Sequence, residues 1–572
     1  MQNAQVAAAF DEIADLLEIQ GANAFRVRAY RNAARTIGDL PESIATLAAE
    51  GPGALTEIDG IGDDLAKKII ALVSTGSIPQ LVELREKVPA GVRQMLLIPG
   101  IGPKKVARLH DELGVNSLDD LKAACESGRV AELKGFGKKT AQIILDGLAQ
   151  VATAGQRFLL DVAANAADEI VADLLKLDAV DRASVAGSCR RRKESCGDLD
   201  VLVTSSDSQA VMDRVAAHEL VEDVLQRGDT KTRVRLANGM EMDVRVVPDE
   251  CYGAALQYFT GSKEHNIVVR RRAQDRGLKL SEWGLFQGDK LVAGRTEEDV
   301  YAALDLAWMP PELRENRGEI DLAERGALPK LVELHDIRGD LHMHTTASDG
   351  TASIREMAEA AKERGLAYIA ITDHSQRVSM ANGLDADRLR AHWEEIDKVR
   401  KEVSGIEILK GIECDILETA KMDLDDEVLS EAEWVIAVLH YGLKQPRKQI
   451  MKRLLTAIEN PHVDIIGHPS GRLIGRRQPA DIDYPALLQA AAEHGVMLEI
   501  NANPMRLDLD DVQTIAAKGH GIPLVISTDA HSPTGLDLMH YGVDVARRAA
   551  LEKKHVANTR TWKQFQKLLR CP

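Results

Sequence analysis

Asp198 and Asp200 stand one residue apart at the head of an apolar run, Val201-Leu202-Val203, shortly after the basic stretch Arg190 to Lys193. In an extended strand, residues i and i+2 share a face, so the two carboxylates project together while Leu199 turns to the core. Adjacent carboxylates repel, and both stay ionised only when cations sit between them. A third acid, Asp243, lies in another apolar run, MEMDVRVV, that can pair alongside. Three such carboxylates suit a pair of Mg²⁺ (or Mn²⁺) ions that bridge substrate phosphates. An isolated Asp-x-Asp is more often an exposed surface pair. Here the small-residue turn Gly187-Ser188, followed by Arg190 and Arg191, makes a cradle for a triphosphate.

A second constellation lies in the C-terminal part, which holds 13 of the 16 histidines. Apolar strand runs there end in metal-ligand residue types: His342 and His344 close the first, His374 the second and Glu413 the third. His440 closes the fourth, His468 the fifth, and Asp529 with His531 the last, with Asp349 in the first loop. In a β/α barrel the C-terminal strand ends converge on one face. One strand-end histidine is more often structural. Six, joined by three carboxylates, fit two or three divalent metals, and Mn²⁺, Zn²⁺ and Fe²⁺ all remain open. Bridged metals of this kind activate water against a phosphoester. Asp373 is expected to orient His374 from behind. The other histidines after residue 334 read as surface or core.

The elements that carry these residues follow from periodicity. Residues 1–150 read as short helices and contain one pattern three times: IDGIGDDLAKKI, IPGIGPKKVARL and LKGFGKKTAQII. Each is an apolar residue, a Gly-x-Gly turn (Gly60 and Gly62, Gly100 and Gly102, Gly135 and Gly137) and a helix start. Glycines allow close approach to a phosphate, whose oxygens the free N–H groups of the new helix can bind. A single such turn would read as a packing element. Three copies point to a nucleic-acid backbone bound without base readout. Residues 155–250 mix helices with the strands DLDVLVTS, VRLANG and MEMDVRVVP, and 251–320 read as helical. The charged segment 321–338 has no apolar period and is expected as a linker with few obligatory contacts. Residues 339–572 alternate seven apolar strands with helices, which predicts a parallel sheet or barrel.

The repeated motif resembles the helix-hairpin-helix DNA-binding element. GS-x-RR-x₅-GD-x-DVLV resembles the nucleotidyltransferase signature of family X DNA polymerases, and YFTGSKEHN (258–266) their nucleotide-selecting segment. DLHMHTTASDG, ITDH, GIE, LH, GHP and STDAH resemble the polymerase-and-histidinol-phosphatase (PHP) domain, a distorted seven-stranded barrel with all nine metal positions filled here. The whole resembles a bacterial-type family X polymerase with a C-terminal PHP domain. The resemblance implies a multidomain α+β and α/β chain. Helical DNA-binding regions would occupy 1–85 and 86–154, a palm 155–250, a nucleotide-selecting subdomain 251–320 and the PHP domain 339–572. It implies gap filling in DNA repair and 3′-end trimming, with gapped or primer-template DNA and dNTPs as partners. Gly187, Ser188 and Arg191 would hold the triphosphate, Tyr258 and Phe259 would crowd the sugar 2′ position, and Gly261 would permit close approach. Asn266 would reach the base edge and Arg270 the template strand. Lys68 matches a Schiff-base lysine, a role that the neighbouring Asp63 and Asp64 oppose because such a lysine must be neutral to attack. Cys189 stands where better-known members carry an aromatic.

With 572 residues the chain exceeds a single core, and no apolar run approaches the ~20 residues of a membrane span. The net charge of −17 is spread over the chain, at −3, −7 and −7 for 1–155, 156–320 and 321–572. No region is basic overall, so phosphate binding must rest on local clusters, backbone amides and metals. Six cysteines without a CxxC pairing and an acidic N-terminus lead to an expectation of reduced thiols and a cytoplasmic protein. The rival readings are a PHP phosphoesterase whose N-terminal half only docks DNA, and a repair scaffold with two weak sites.

Overall fold

The computed structural model describes residues 3–39, 44, 47–48, 51–58, 60–98, 101–154 and 157–569. The chain divides into two compact units, Met1–Gln156 and Arg157–Pro572. No helix among the described residues is long and apolar enough to cross a membrane.

The described part of the first unit is helical around a core that includes Phe10, Ile13, Leu16 and Ile37. One backbone hydrogen bond recurs in all three Gly-x-Gly segments. The amide of Ile61 donates to the Ile58 carbonyl at 3.0 Å, Ile101 to Ile98 at 3.1 Å and Phe136 to Leu133 at 3.0 Å. The residue between the glycines is therefore a buried apolar plug, and a helix follows: α1 (Asp63–Thr75), α2 (Pro103–Leu113) and α3 (Gly137–Ala154).

After a helix, Leu160–Leu174, the second unit builds a five-stranded sheet of β1 (Val180–Val185), β2 (Asp198–Ser205), β3 (Val221–Arg227), β4 (Lys231–Leu236) and β5 (Glu241–Val246). Their order is β1-β2-β5-β4-β3, and only β2 and β5 are parallel. The strand β3 has no apolar alternation because it is an exposed edge, and the sequence gives it no signal. Residues 251–320, expected as helical, also hold a three-stranded antiparallel sheet (Lys279–Ser281, Gly284–Gln287, Lys290–Ala293) beside helices α4 (Tyr252–Thr260) and α5 (Lys263–Asp275). Its strands are three or four residues long, too short to set up a period.

The 321–338 segment differs from the expected linker. A helix, Glu319–Glu324, enters it with Ile320 and Ala323 buried, and Leu331 and Val332 are buried further on. The Val332 amide donates to the Leu551 carbonyl at 2.9 Å, and Arg547 donates to the Val332 carbonyl at 3.2 Å. The segment is packed on residues far along the chain, so its own sequence carries no periodic mark of burial.

The remaining seven strands are β6 (Gly339–Asp340), β7 (Tyr368–Ile371), β8 (Glu407–Asp415), β9 (Trp434–Val438), β10 (Ile465–Ile466), β11 (Met497–Asn501) and β12 (Leu524–Ser527). They pair in chain order and all in parallel. A bridge between Met343 and Ala530, with the His344 amide donating to Ala530 at 2.8 Å, joins the first strand to the last. Alternate residues split into two cores. Tyr368, Ala370, Leu409, Trp434, Ile436 and Met497 belong to an inner cluster with Phe565. Ile369, Ile371, Val435, Ala437 and Leu498 join the cluster that includes helix residues such as Met357 and Leu454. That parity aims Glu413, two steps of two beyond Leu409, and Glu499, two beyond Met497, to the inside.

Candidate active sites

In the five-stranded sheet the parallel register sets Asp198 opposite Glu241 and Asp200 opposite Asp243. Leu199 is buried, as the alternation requires. Burial, followed by the charges of Asp198 and Asp243, pushes the Asp200 carboxyl up to about 7. Burial also acts on Asp243, yet Arg233 Nε at 2.8 Å and Lys231 Nζ at 3.1 Å outweigh it and hold that carboxyl low. A carboxyl this hard to ionise beside two others fits a divalent cation, whose charge would offset both burial and repulsion. Gly187 turns the chain above this site with φ of 63°, and a Cβ there would stand 2.8 Å from Asp200 Oδ2.

The basic cluster divides its work. Arg191 donates to the Thr260 carbonyl at 2.5 Å and from Nε to Glu315 at 3.1 Å, and its Nη1 lies 3.1 Å from where a Cβ on Gly261 would be. Ser188 is half-buried on the same short helix, Gly187–Arg190. Arg190, expected beside Arg191 in the cradle, instead makes a bidentate pair with the buried Glu297 at 2.8 Å and 2.8 Å. Tyr258 and Phe259 pack edge to face with centroids 5.1 Å apart. Arg270 lies 6.0 Å from the Tyr258 ring and Arg245 lies 4.6 Å from Phe259. The Asn266 amide donates to the Tyr258 carbonyl and accepts from Gln257, both at 2.7 Å.

In the first unit, Gly62 and Gly102 are the N-caps of α1 and α2, and Gly137 begins α3. Gly60, Gly135 and Gly137 have positive φ of 83°, 90° and 68°. A Cβ on Gly60, Gly62, Gly102 or Gly137 would meet nothing within 4 Å, so the glycine turns are open to an approaching group. Gly100 lies outside the described residues. Lys68 is ion-paired with Asp64 one helical turn earlier and stands 5.8 Å from the Tyr30 ring.

The barrel brings all nine sequence-predicted ligands together. They form four overlapping groups: His344, Asp349, His374 and His531; His342, Glu413 and His468; His342, His344 and Asp529; and His374, Glu413 and His440. Glu413 is central, with His468 Nε2 2.9 Å from one oxygen and His374 Nδ1 2.6 Å from the other. His342 Nε2, His344 Nδ1, His374 Nδ1 and Glu413 Oε2 are buried without a well-aligned hydrogen bond, although His374 Nδ1 and Glu413 Oε2 lie 2.6 Å apart. Buried polar atoms are rarely left so, and these converge, which fits metal ions between them. Burial, then Glu413 and Asp349, act in opposite senses on His374, and the acids prevail and raise it to about 10. Burial, then His374 and His531, lower His344 to about 4.

Two acids behind the ligands went unread in the sequence. Glu499 Oε1 lies 2.7 Å from His342 Nδ1, while its Oε2 accepts from the His468 amide at 2.6 Å. Asp415 Oδ2 lies 2.9 Å from His440 Nδ1. The signal for Glu499 was available: VMLEINA is the one strand run of the seven that offers no ligand, yet it places Glu499 and Asn501 on one face. Asp373 does not orient His374. It accepts from the Thr345 amide at 2.8 Å and lies 2.9 Å from His392 Nε2, because the strand turn carries it away from its neighbour's side. A cleft of about 390 Å³ opens onto the cluster, walled by Val378, Met380, Tyr441, Arg477 and Arg506 as well as by ligands.

Comparison with known proteins follows these divisions. Family models match for a helix-hairpin-helix domain (1–78), a SAM-like helix-hairpin-helix tandem (92–150) and the DNA polymerase beta palm (162–251). Models of the DNA polymerase beta thumb (255–315) and the PHP domain (340–503) match further on. Probable phosphatases of Thermoanaerobacter sp. (strain X514) and Edwardsiella ictaluri (strain 93-146) are each 32% identical, over 38% of this chain and 89% of theirs. The DNA polymerase/3′-5′ exonuclease PolX of Bacillus subtilis (strain 168) is 40% identical over 564 residues, 98% of each chain. With palm, thumb and PHP segments all matched and a relative aligned almost from end to end, the chain belongs to the PolX family of DNA polymerases.

Proposed function

We propose that this protein adds dNTPs to a primer on gapped or primer-template DNA and removes 3′ nucleotides at a separate, metal-dependent site in the barrel. The observation that carries the first activity is the pairing of Asp200 with Asp243 beside Asp198, under the turn that bears Ser188 and Arg191. Asp198, Asp200 and Asp243 would hold two Mg²⁺ or Mn²⁺ ions, which supply charge neutralisation along the triphosphate and activation of the primer hydroxyl. Ser188 and the amides around Gly187 bind the outer phosphates, and Arg191 neutralises them. Gly261 lets the backbone approach the nucleotide, and the Tyr258-Phe259 pair fills the space a ribose 2′ hydroxyl would need. Asn266 reads the edge of the incoming base, and Arg270 meets the template strand. The glycine turns bind DNA backbone phosphates through helix N-termini, without base recognition.

The nine-ligand cluster supports the second activity, with two or three Mn²⁺ or Zn²⁺ ions as its occupants. Glu413 and Asp529 would hold them from inside, while Glu499 and Asp415 fix the ring orientations of His342 and His440. Arg506 and Arg477 line the cleft beside the cluster and would bind the phosphodiester to be cut. Repair of short gaps is the setting in which both activities act on one 3′ end. The test is a gapped primer-template with Mg²⁺ or Mn²⁺, with and without dNTPs. Wild-type protein should extend the primer with dNTPs and shorten it without them. Extension by Asp200→Ala at near wild-type rate would refute the palm assignment.

A further inference from the structure

The turn that carries Ser188 and Arg191 is gripped by the barrel domain at three points. The guanidinium of Arg548 donates to the Arg191 carbonyl at 2.6 Å. Arg192 lies 3.7 Å from Asp544, and Arg472 donates to Glu194 at 2.7 Å. Arg548 and Asp544 sit on one barrel helix, Met539–Arg548, and Arg472 follows the ligand His468. Arg548 is 5% exposed and also donates to Glu315 at 3.0 Å and to Asp511 at 2.7 Å. Glu315 Oε1 in turn accepts from Arg191 Nε at 3.1 Å. One carboxylate oxygen is thus shared by two guanidinium groups, one from the palm turn and one from the barrel.

We propose that Arg548 is a positioning residue for nucleotide addition, acting through Arg191, and that the barrel thereby sets how tightly the palm holds an incoming triphosphate. The inference rests on the palm reading above. Two anions compete for Arg191. Glu315 and the triphosphate both offer negative charge to Arg191, and a half-buried carboxylate with a single contacting cation would hold that cation fast. Arg548 is the second guanidinium in direct contact with Glu315, with the charge of Lys193 also acting on it, so Glu315 stays compensated when Arg191 turns to the phosphates. The same guanidinium fixes the carbonyl of Arg191 and with it the height of the turn over Asp200. Without Arg548, Glu315 would keep Arg191 and the turn would lose its outer anchor.

Steady-state dNTP addition on a gapped primer-template tests this with the full chain. Arg548→Met should raise KM for dNTP about tenfold, change kcat less than twofold, and leave Mn²⁺-dependent exonuclease activity within twofold of wild type. Adding Glu315→Gln should return KM towards the wild-type value, which a merely structural role for Arg548 would not allow. Arg548→Lys keeps the charge but cannot reach three acceptors at once, and should raise KM about threefold. This variant carries the test if Arg548→Met fails to fold. A folded Arg548→Met or Arg548→Lys variant with wild-type KM overturns the proposal. Failure of the palm reading looks different: Asp200→Ala would then still extend primers.

Discussion

At the scale of single residues, the groups that hold ligands matter as much as the ligands. Glu499 fixes His342 through one oxygen and the His468 amide through the other. Glu499→Gln keeps the shape and loses the charge, so metal affinity of the barrel should fall roughly 10- to 100-fold, read by titration of metal-stripped protein. Unchanged affinity would remove Glu499 from the site. Asp200 makes a prediction about pH. Its carboxyl ordinarily titrates near 3.8 and is raised to about 7 in the fold, so the folded state binds the proton more tightly. That contribution to stability is complete below about pH 4 and is lost as pH rises through about 7. In EDTA, Asp200→Asn should therefore be more stable than wild type at pH 8, by at most ~4 kcal/mol, with the gap closing towards pH 4. Urea midpoints at the two pH values measure it, and an equal gap at both would show that Asp200 does not titrate in this window. Lys68 faces a different constraint. Its Nζ is engaged in an ion pair with Asp64, a contact that a Schiff base at that nitrogen would have to give up. Borohydride should trap little Lys68 adduct on a 5′-deoxyribose-phosphate end, and Asp64→Asn should raise the yield; strong trapping by wild type would restore the lyase role.

At the scale of elements, the link between β1 and β2 concentrates the constraints. Gly187 has a left-handed φ, which costs a residue with a Cβ about 1–2 kcal/mol, and the added carbon would press on Asp200 Oδ2. Gly187→Ala should thus lower dNTP addition at least tenfold while circular dichroism and exonuclease activity stay near wild type. Wild-type extension by this variant would mean that the turn has room the geometry denies it. The barrel strands show a complementary economy. Their inner residues form an apolar floor near Trp434 and Met497, and the same alternation delivers Glu413 and Glu499 to the ligand cluster.

At the scale of the whole molecule, the two sites are distinct in chemistry yet joined in structure. Ion pairs between Arg547 and Glu312, Arg317 and Asp511, and Arg472 and Glu194 connect the polymerase-like segments to the barrel within the second unit. These contacts lie on the helices Met539–Arg548 and Asp511–Gly519 and on segments outside the histidine-carboxylate cluster, so losing one proposed ligand should not disturb them. His344→Ala should abolish Mn²⁺-dependent 3′-5′ cleavage and retain dNTP addition within about twofold. Loss of both activities in a folded His344→Ala protein would show that the lumen, too, is coupled to the palm.

What could be read from the chain alone was whatever depends on near neighbours. The i, i+2 spacing set Asp198 and Asp200 on one face, and the recurring glycines implied three like turns, because strand parity and turn geometry are local properties. Ligand types at successive strand ends likewise implied a shared rim, since parallel strands of one barrel all finish on the same side. The three-stranded sheet at 279–293 and the edge strand β3 stayed illegible, being too short or too exposed to carry a period. Arg190 and Arg191 are identical side by side in sequence, and only packing gives one a buried partner in Glu297 and leaves the other at the turn over Asp200. Asp243 could be proposed as the third carboxylate, but its register opposite Asp200 exists only once β2 and β5 pair. The grip of Arg548 on Arg191 spans 357 residues of chain, and no local pattern encodes such a contact. It arises because burying the helix Met539–Arg548 brings its last guanidinium against the carboxylates of Glu315 and Asp511, where an unpaired charge of either sign would be costly.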